Sequence, residues 1–284
     1  MKRRIAVVAG YFYPEDPGEL REMIEWSFKH PVGPGSLPLK TVETPLHGIL
    51  GYVVPHAGYV YSGPVAAHAF HDMALNGKPD VVVILGTNHT GLGKPVSVYP
   101  EGVWETPLGA LTVDGELSKK IVEYSDVADF DEYAHLEEHS VEVQLPFLAY
   151  LYGSAVRIVP IVIGVHTPDV AFDLARAIRR AVESLGKNTI ILASSDFNHY
   201  EPHEETVRKD LMAIDEILRL DIHGFYNVMM REGISICGPG GIMTLMEYTR
   251  MLGGRVSLLK HATSGDTSGD KTHVVGYASI KFYL

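Results

Sequence analysis

Three histidines stand at the ends of three apolar runs: GYVVP leads into His56, VVVILGTN into His89 and IILASSDFN into His199. Short Val- and Ile-rich runs bounded by Gly or Pro read as strands buried on both faces. Open α/β sheets bind their ligands just beyond the carboxyl ends of such strands. Imidazoles gathered along one sheet edge suit a metal, for which neutral imidazole is the commonest side-chain ligand. His56 in PHAGYVYSG and His89 in LGTNHTGLG share this setting of strand followed by a glycine turn. Cys237 in ISICGPGG stands where a tight turn opens a helix. A helix amino end lowers a thiol pKa, so Cys237 reads either as a thiolate that binds metal or attacks an electrophile, or as a small buried hydrophobe of the usual kind. Asp196 lies three residues before His199 in SSDFNHY, a spacing from which a carboxylate can orient the imidazole, behind a metal or as a general acid/base pair, or else caps a following helix. His139 in EEHSVEVQLP is a further candidate, or else an exposed imidazole held charged by its acidic neighbours. His68, His71 and His203 read as surface or structural residues.

These side chains need a sheet to present them. Strand-like and helix-like segments alternate along nearly the whole chain, which implies a mixed, mainly parallel central sheet covered by helices on both faces, in one domain spanning residues 1–284. The apolar stretch in MKRRIAVVAGYFYP reads as a first strand, Asp16 to His30 as an amphipathic helix, and Pro31 to Lys40 as a Pro/Gly loop. SVYPEGVWETPLGALTV reads as a hairpin turning at Thr106 to Gly109. Pro146, inside an otherwise helical pattern, must end or kink the helix or sit in its first turn. SGDTSGDKTH, from Ser264 to His273, reads as a solvated loop. Tyr11, Tyr13, Tyr59, Tyr61 and Trp104 either line a pocket or fill the core.

Bulk properties narrow the function classes. Hydrophobic residues make up 46% and charged residues 21% of the 284 positions, ordinary globular usage. A net charge of -11 gives no electrostatic footprint for nucleic acid. No apolar run reaches the length of a membrane span, and the amino-terminal stretch lacks the form of a signal peptide, so a cytoplasmic protein is expected. A lone cysteine allows no intrachain disulfide and agrees with a reducing compartment. Neither a phosphate-binding G-x-x-x-x-G-K-[ST] loop nor a G-x-S-x-G elbow is present.

Taken in order, AGYFYPEDPGEL, PHAGYVYSG, LGTNHTG, EEHSVEVQLPFL, SSDFNHY, ICGPGGI and SGDTSGDKTHVVGYASI resemble the Memo family. The likeness runs from end to end and implies the fold of the LigB-type, class III extradiol dioxygenases, with non-haem iron at the sheet edge. It implies metal ligands at His56, His89 and Cys237, an acid/base role for His199, and pocket-lining positions for Asp196 and His139. Those dioxygenases use two histidines and a carboxylate; a thiolate in the third place is softer and more oxidisable, so extradiol cleavage does not carry over directly. The expectation is a metal-dependent redox enzyme or oxygenase-like protein acting on a small substrate, with iron the foremost metal and copper or zinc the other options. Two alternatives stand beside it. One is a non-catalytic metal- or peptide-binding interaction protein, suggested by the link of animal members to phosphotyrosine peptides, although no arginine cluster for phosphate is evident here. The other is a zinc-dependent hydrolase. The resemblance further implies a functional link to a radical-SAM enzyme.

Overall fold

The computed structural model describes residues 2–38 and 44–284; the last two positions of the Pro31 to Lys40 loop lie outside them. Among the described residues the strands are β1 (Arg3–Arg4), β2 (Ile49–Val54), β3 (Val81–Thr87), β4 (Val96–Val98), β5 (Val103–Thr106), β6 (Gly109–Thr112), β7 (Ala128–Phe130), β8 (Arg157–Ile163), β9 (Thr189–Ser194), β10 (His199–Glu201), β11 (Arg255–Thr263) and β12 (Val274–Tyr283). The helices are α1 (Pro17–Lys29), α2 (Tyr59–Asn76), α3 (Gly115–Tyr124), α4 (Leu145–Tyr152), α5 (Pro168–Leu185), α6 (His203–Leu218), α7 (Ile222–Glu232), α8 (Pro239–Met251) and α9 (Ser264–Ser268).

The large sheet runs β10-β12-β2-β9-β3-β8-β4-β7, with β11 also paired to β12. Its centre, β2-β9-β3-β8, is parallel, while β4 and β12 join it antiparallel on the two sides. It is therefore a mixed α/β sheet whose parallel part is the part that carries the site.

Alternation along the strands divides the core in two. Val81, Val83 and Leu85 pack with helices α3, α5, α7 and α8 on one face. Val82 and Ile84 pack with α1, α2 and α4 on the other. Strands buried this way lose the polar face of an amphipathic strand and read as continuous apolar runs. Tyr13, Tyr59 and Trp104 fill the core, whereas Tyr11 and Tyr61 are exposed.

Two expectations are corrected. The amino-terminal run contributes only Arg3–Arg4 as strand, paired with β5 in a separate small sheet. The amides of Val7 and Val8 donate instead to the buried Glu142 carboxylate, at 3.1 and 3.0 Å, so this segment is tied down by a side chain rather than a ladder. SGDTSGDKTH is not all loop: Ser264–Ser268 is helical, because Asp266 accepts the Thr263 amide at 2.9 Å and Thr263 Oγ1 accepts that of Gly265 at 3.2 Å, a reciprocal cap. The hairpin forms with its turn where expected, and Pro146 sits in the first turn of α4, where its missing amide costs no helical bond.

Candidate metal centre

The parallel strands β2, β3 and β9 end side by side and deliver His56, His89 and the Ser194–Asp196 segment to one edge. The carbonyl end of β2 passes through Pro55 to His56, which is 2% exposed. Its backbone amide donates to Asp196 Oδ1 at 2.8 Å. Its Nδ1 lies 3.0 Å from Ser194 Oγ. The Ser194 hydroxyl proton goes to the Ser140 carbonyl at 2.6 Å, and Gln144 Nε2 donates to Ser194 Oγ at 2.9 Å and to the Pro55 carbonyl at 3.0 Å. Ser194 Oγ must therefore accept from His56, which places the proton on Nδ1 and leaves Nε2 a bare lone pair. Burial, then the facing His89, pulls the His56 pKa down to about 3, so the ring is neutral.

His89 is fixed in the same sense by Glu138. Its Nδ1 donates to Glu138 Oε1 at 2.8 Å and its amide to Oε2 at 2.7 Å, while the Ser140 amide reaches Oε1 at 2.9 Å. Burial pushes the Glu138 carboxyl up, but the hydrogen bonds it accepts from the His89 ring, the His89 amide and the Ser140 amide outweigh it and bring the pKa to about 2. A carboxylate behind a histidine in this way orients the ring and raises the basicity of Nε2.

His139 completes a group of three imidazoles. Its ring stacks on His89 at 4.5 Å and meets His56 edge-on at 5.3 Å, with Phe12 covering it at 4.4 Å. One nitrogen from each of His56, His89 and His139 lies within 4.8 Å of the others. The reading of His139 as an exposed, charged imidazole is thus corrected: burial first, then His56, lowers its pKa to about 4. Its acidic neighbour Glu138 serves His89 instead, standing 3.5 Å from His139 Nδ1.

Cys237 reaches the group through His56, with Sγ 3.2 Å from Nε2. The sulfur also accepts the Asp196 amide at 3.2 Å. Although α8 opens just beyond it, burial and then the Asp196 carboxylate push this thiol above its ordinary pKa, contrary to the lowering expected from a helix end alone. Asp196 is buried; burial raises its carboxyl pKa, and Oδ2 lies 4.0 Å from His56 Nε2. It orients the His56 turn. His199, expected to be oriented by Asp196, is held by Ser235: Nδ1 donates to the Ser235 carbonyl at 2.7 Å and the His199 amide to Ser235 Oγ at 2.8 Å. The third strand in fact ends at Ser194, and His199 opens β10 after a four-residue loop. His68 bonds the Val32 carbonyl and His203 bonds Thr263 Oγ1, both structural.

Three contributors were not singled out in the sequence: Glu138, Ser194 and His166. His166 Nε2 lies 3.0 Å from Thr87 Oγ1, which donates to the Cys237 carbonyl at 2.7 Å. A signal for it existed, since RIVPIVIG leads into Val165 and His166 much as the other strands lead into theirs. Glu138 and Ser194 carry no local signal that separates them from a surface acid or a strand-end serine.

The family model for Memo-like protein matches residues 4–281. A MEMO1 family protein of Desulfurococcus amylolyticus is 69% identical over 284 residues, covering 100% of both chains. MEMO1 family proteins of Sulfolobus acidocaldarius and Ignicoccus hospitalis are 54% and 52% identical, each covering 98% or more of this chain and 99% of their own. The crystal structure of an uncharacterized protein from Escherichia coli K12 superposes with a TM-score of 0.53 at 11% identity, over 82% of this chain and 99% of that one, a likeness of fold. Matched over almost its entire length, the chain belongs to the Memo-like family.

Proposed function

We propose that the chain is a metal-dependent redox enzyme that holds a divalent metal, iron foremost, through His56 Nε2, His89 Nε2 and Cys237 Sγ, and acts on a small substrate. The observation that carries this reading is the shared tautomer of the two imidazoles. Each has its Nδ1 proton committed to an oxygen of the protein, so each offers Nε2 as a lone pair, and a thiol stands 3.2 Å from one of them. Iron held by this donor set supplies a redox couple and open positions for a small molecule. With a divalent cation bound, Cys237 is a thiolate despite its burial, because coordination outweighs the desolvation that raises its pKa.

His199 supports proton transfer at the rim: its Nδ1–H is spent on the Ser235 carbonyl, which leaves Nε2 free to accept. A cleft of about 430 Å³ lies alongside, lined by Ala57, Tyr61, Tyr200, Asp270, His273 and Tyr277. Ala57 and Tyr200 directly follow His56 and His199, and the volume is in the range of small-molecule sites.

A second reading rests on His139, whose nitrogen shares the 4.8 Å cluster. Three imidazoles with an open position describe catalytic zinc, and hydrolysis would then replace redox chemistry. Anaerobic loading with Fe(II) or Zn(II), followed by metal analysis of Cys237→Ala and His139→Ala, separates the two. Loss of iron in Cys237→Ala with retention in His139→Ala, and oxygen uptake by the iron form on a substrate panel, is the expected result. The opposite pattern, with zinc-restored and oxygen-indifferent activity, would replace it by the hydrolytic reading.

A further inference from the structure

A chain of three hydrogen bonds runs from the start of α8 back to the turn that carries Cys237. Gly240 N–H donates to His166 Nδ1 at 3.1 Å. A backbone amide can only donate, so Nδ1 holds the lone pair and the ring proton sits on Nε2. Nε2–H must then donate to Thr87 Oγ1, 3.0 Å away, which sends the threonine proton to the Cys237 carbonyl at 2.7 Å. Every donor and acceptor in the chain has one assignment. The amide of Cys237 makes a far longer bond, 3.4 Å to the Asp196 carbonyl, so the threonine bond is the closer hold on its backbone.

The surroundings are cut to this arrangement. A Cβ at Gly240 would lie 2.7 Å from His166 Nδ1, closer than any side chain allows. Thr87 is buried at the end of β3, and its backbone separately exchanges bonds with the Ser140 hydroxyl, at 3.0 and 3.1 Å. One residue thus ties the turn of Cys237, through its side chain, to the loop of Glu138 and His139, through its main chain.

We infer that Thr87 and His166 form a clamp that positions the Cys237 sulfur opposite His56, and that they are positioning residues for the site. The metal arm of the test below rests on the ligand set proposed above; the thiol arm does not. Thr87→Val keeps the shape and both backbone bonds but removes the hydroxyl, His166→Ala removes the far end, and Thr87→Ser retains the hydroxyl. Because Cys237 is the single cysteine, its alkylation by iodoacetamide in metal-free protein reads the turn directly. Thr87→Val and His166→Ala are expected to speed alkylation about tenfold and to weaken Co(II) binding about 10–100-fold, with a diminished thiolate-to-cobalt absorption band, the range found when supports behind a metal ligand are lost. Thr87→Ser is expected to restore both. Alkylation rates of the folded Thr87→Val and His166→Ala proteins matching the parent would overturn the clamp. A parent protein whose cobalt complex lacks the sulfur band would remove Cys237 from the ligand set, and the alkylation rates would still decide the clamp. Should Thr87→Val not fold, as judged by circular dichroism, His166→Ala decides alone, since that side chain is only partly buried.

Discussion

Cys237 Sγ and His56 Nε2 lie 3.2 Å apart although 181 positions separate them in the chain. One comes from the turn before α8 and the other from the end of β2, and the contact exists because α8 packs along one face of the sheet with its amino end at the carboxyl ends of the central strands. That convergence makes the strand edge a centre with both nitrogen and sulfur donors.

Glu138 is the support whose loss tests this centre most cleanly. Glu138→Gln removes the charge behind His89 and turns an acceptor of three hydrogen bonds into a weaker one. Metal affinity, read by competition with a chelator, is expected to fall about 10–100-fold. An unchanged affinity would show that His89 does not depend on its carboxylate.

Ser194 fixes the tautomer of His56. In Ser194→Ala the Nδ1–H of His56 and one N–H of Gln144 lose their acceptor inside the protein. Burying those unsatisfied donors costs about 1–3 kcal/mol each, so the urea midpoint is expected to drop. A midpoint equal to the parent would mean the ring turns to another partner.

Arg4 and Glu142 form a buried ion pair at 2.6 Å, with side chains 4% and 0% exposed. Glu142 also accepts from Tyr13 and the Val7 and Val8 amides, which ties the amino-terminal strap over the loop of His139. Arg4→Met leaves that carboxylate without its cation and is expected to cost about 3–5 kcal/mol in chemical denaturation. A loss near zero would show that the four-way acceptor is satisfied without arginine.

Acid should unfold the metal-free protein in a defined window. Burial lowers the pKa of His56 to about 3 and those of His135, His139 and His166 to about 4, below the ordinary 6.5. The folded state therefore binds fewer protons than the unfolded chain below pH 6.5. Stability is full above that pH and falls as pH drops toward the folded values, by about 1–2 kcal/mol for each imidazole at pH 5. Glu138, lowered from 4.5 to about 2, adds its own loss only below pH 4.5. Urea midpoints between pH 7 and pH 5 check this; a flat profile would mean the imidazoles titrate normally.

Much of the site was legible because strands buried on both faces advertise themselves as apolar runs, and the residue after such a run lies at a sheet edge. His56 and His89 follow from that pattern alone. His139 does not, since it sits in a loop beyond any strand and its acidic neighbour pointed to solvent rather than to His89. The short β1 misled for a related reason: an apolar amino-terminal run reads as strand, but its amides found the Glu142 carboxylate instead.

The sequence by itself determined the alternation of strands and helices, the edge positions of two histidines and the presence of a single thiol, all of them local in origin. Only the tertiary structure decided which groups face one another. It brought His139 onto His89 and Cys237 onto His56, and it gave Glu138 and Ser194 the rings they support. It also put His199 on Ser235 rather than on Asp196. Hydrogen-bond direction is the reason: the tautomers of His56, His89 and His199 are each set by an oxygen from a distant segment, and no spacing along the chain encodes which oxygen that will be.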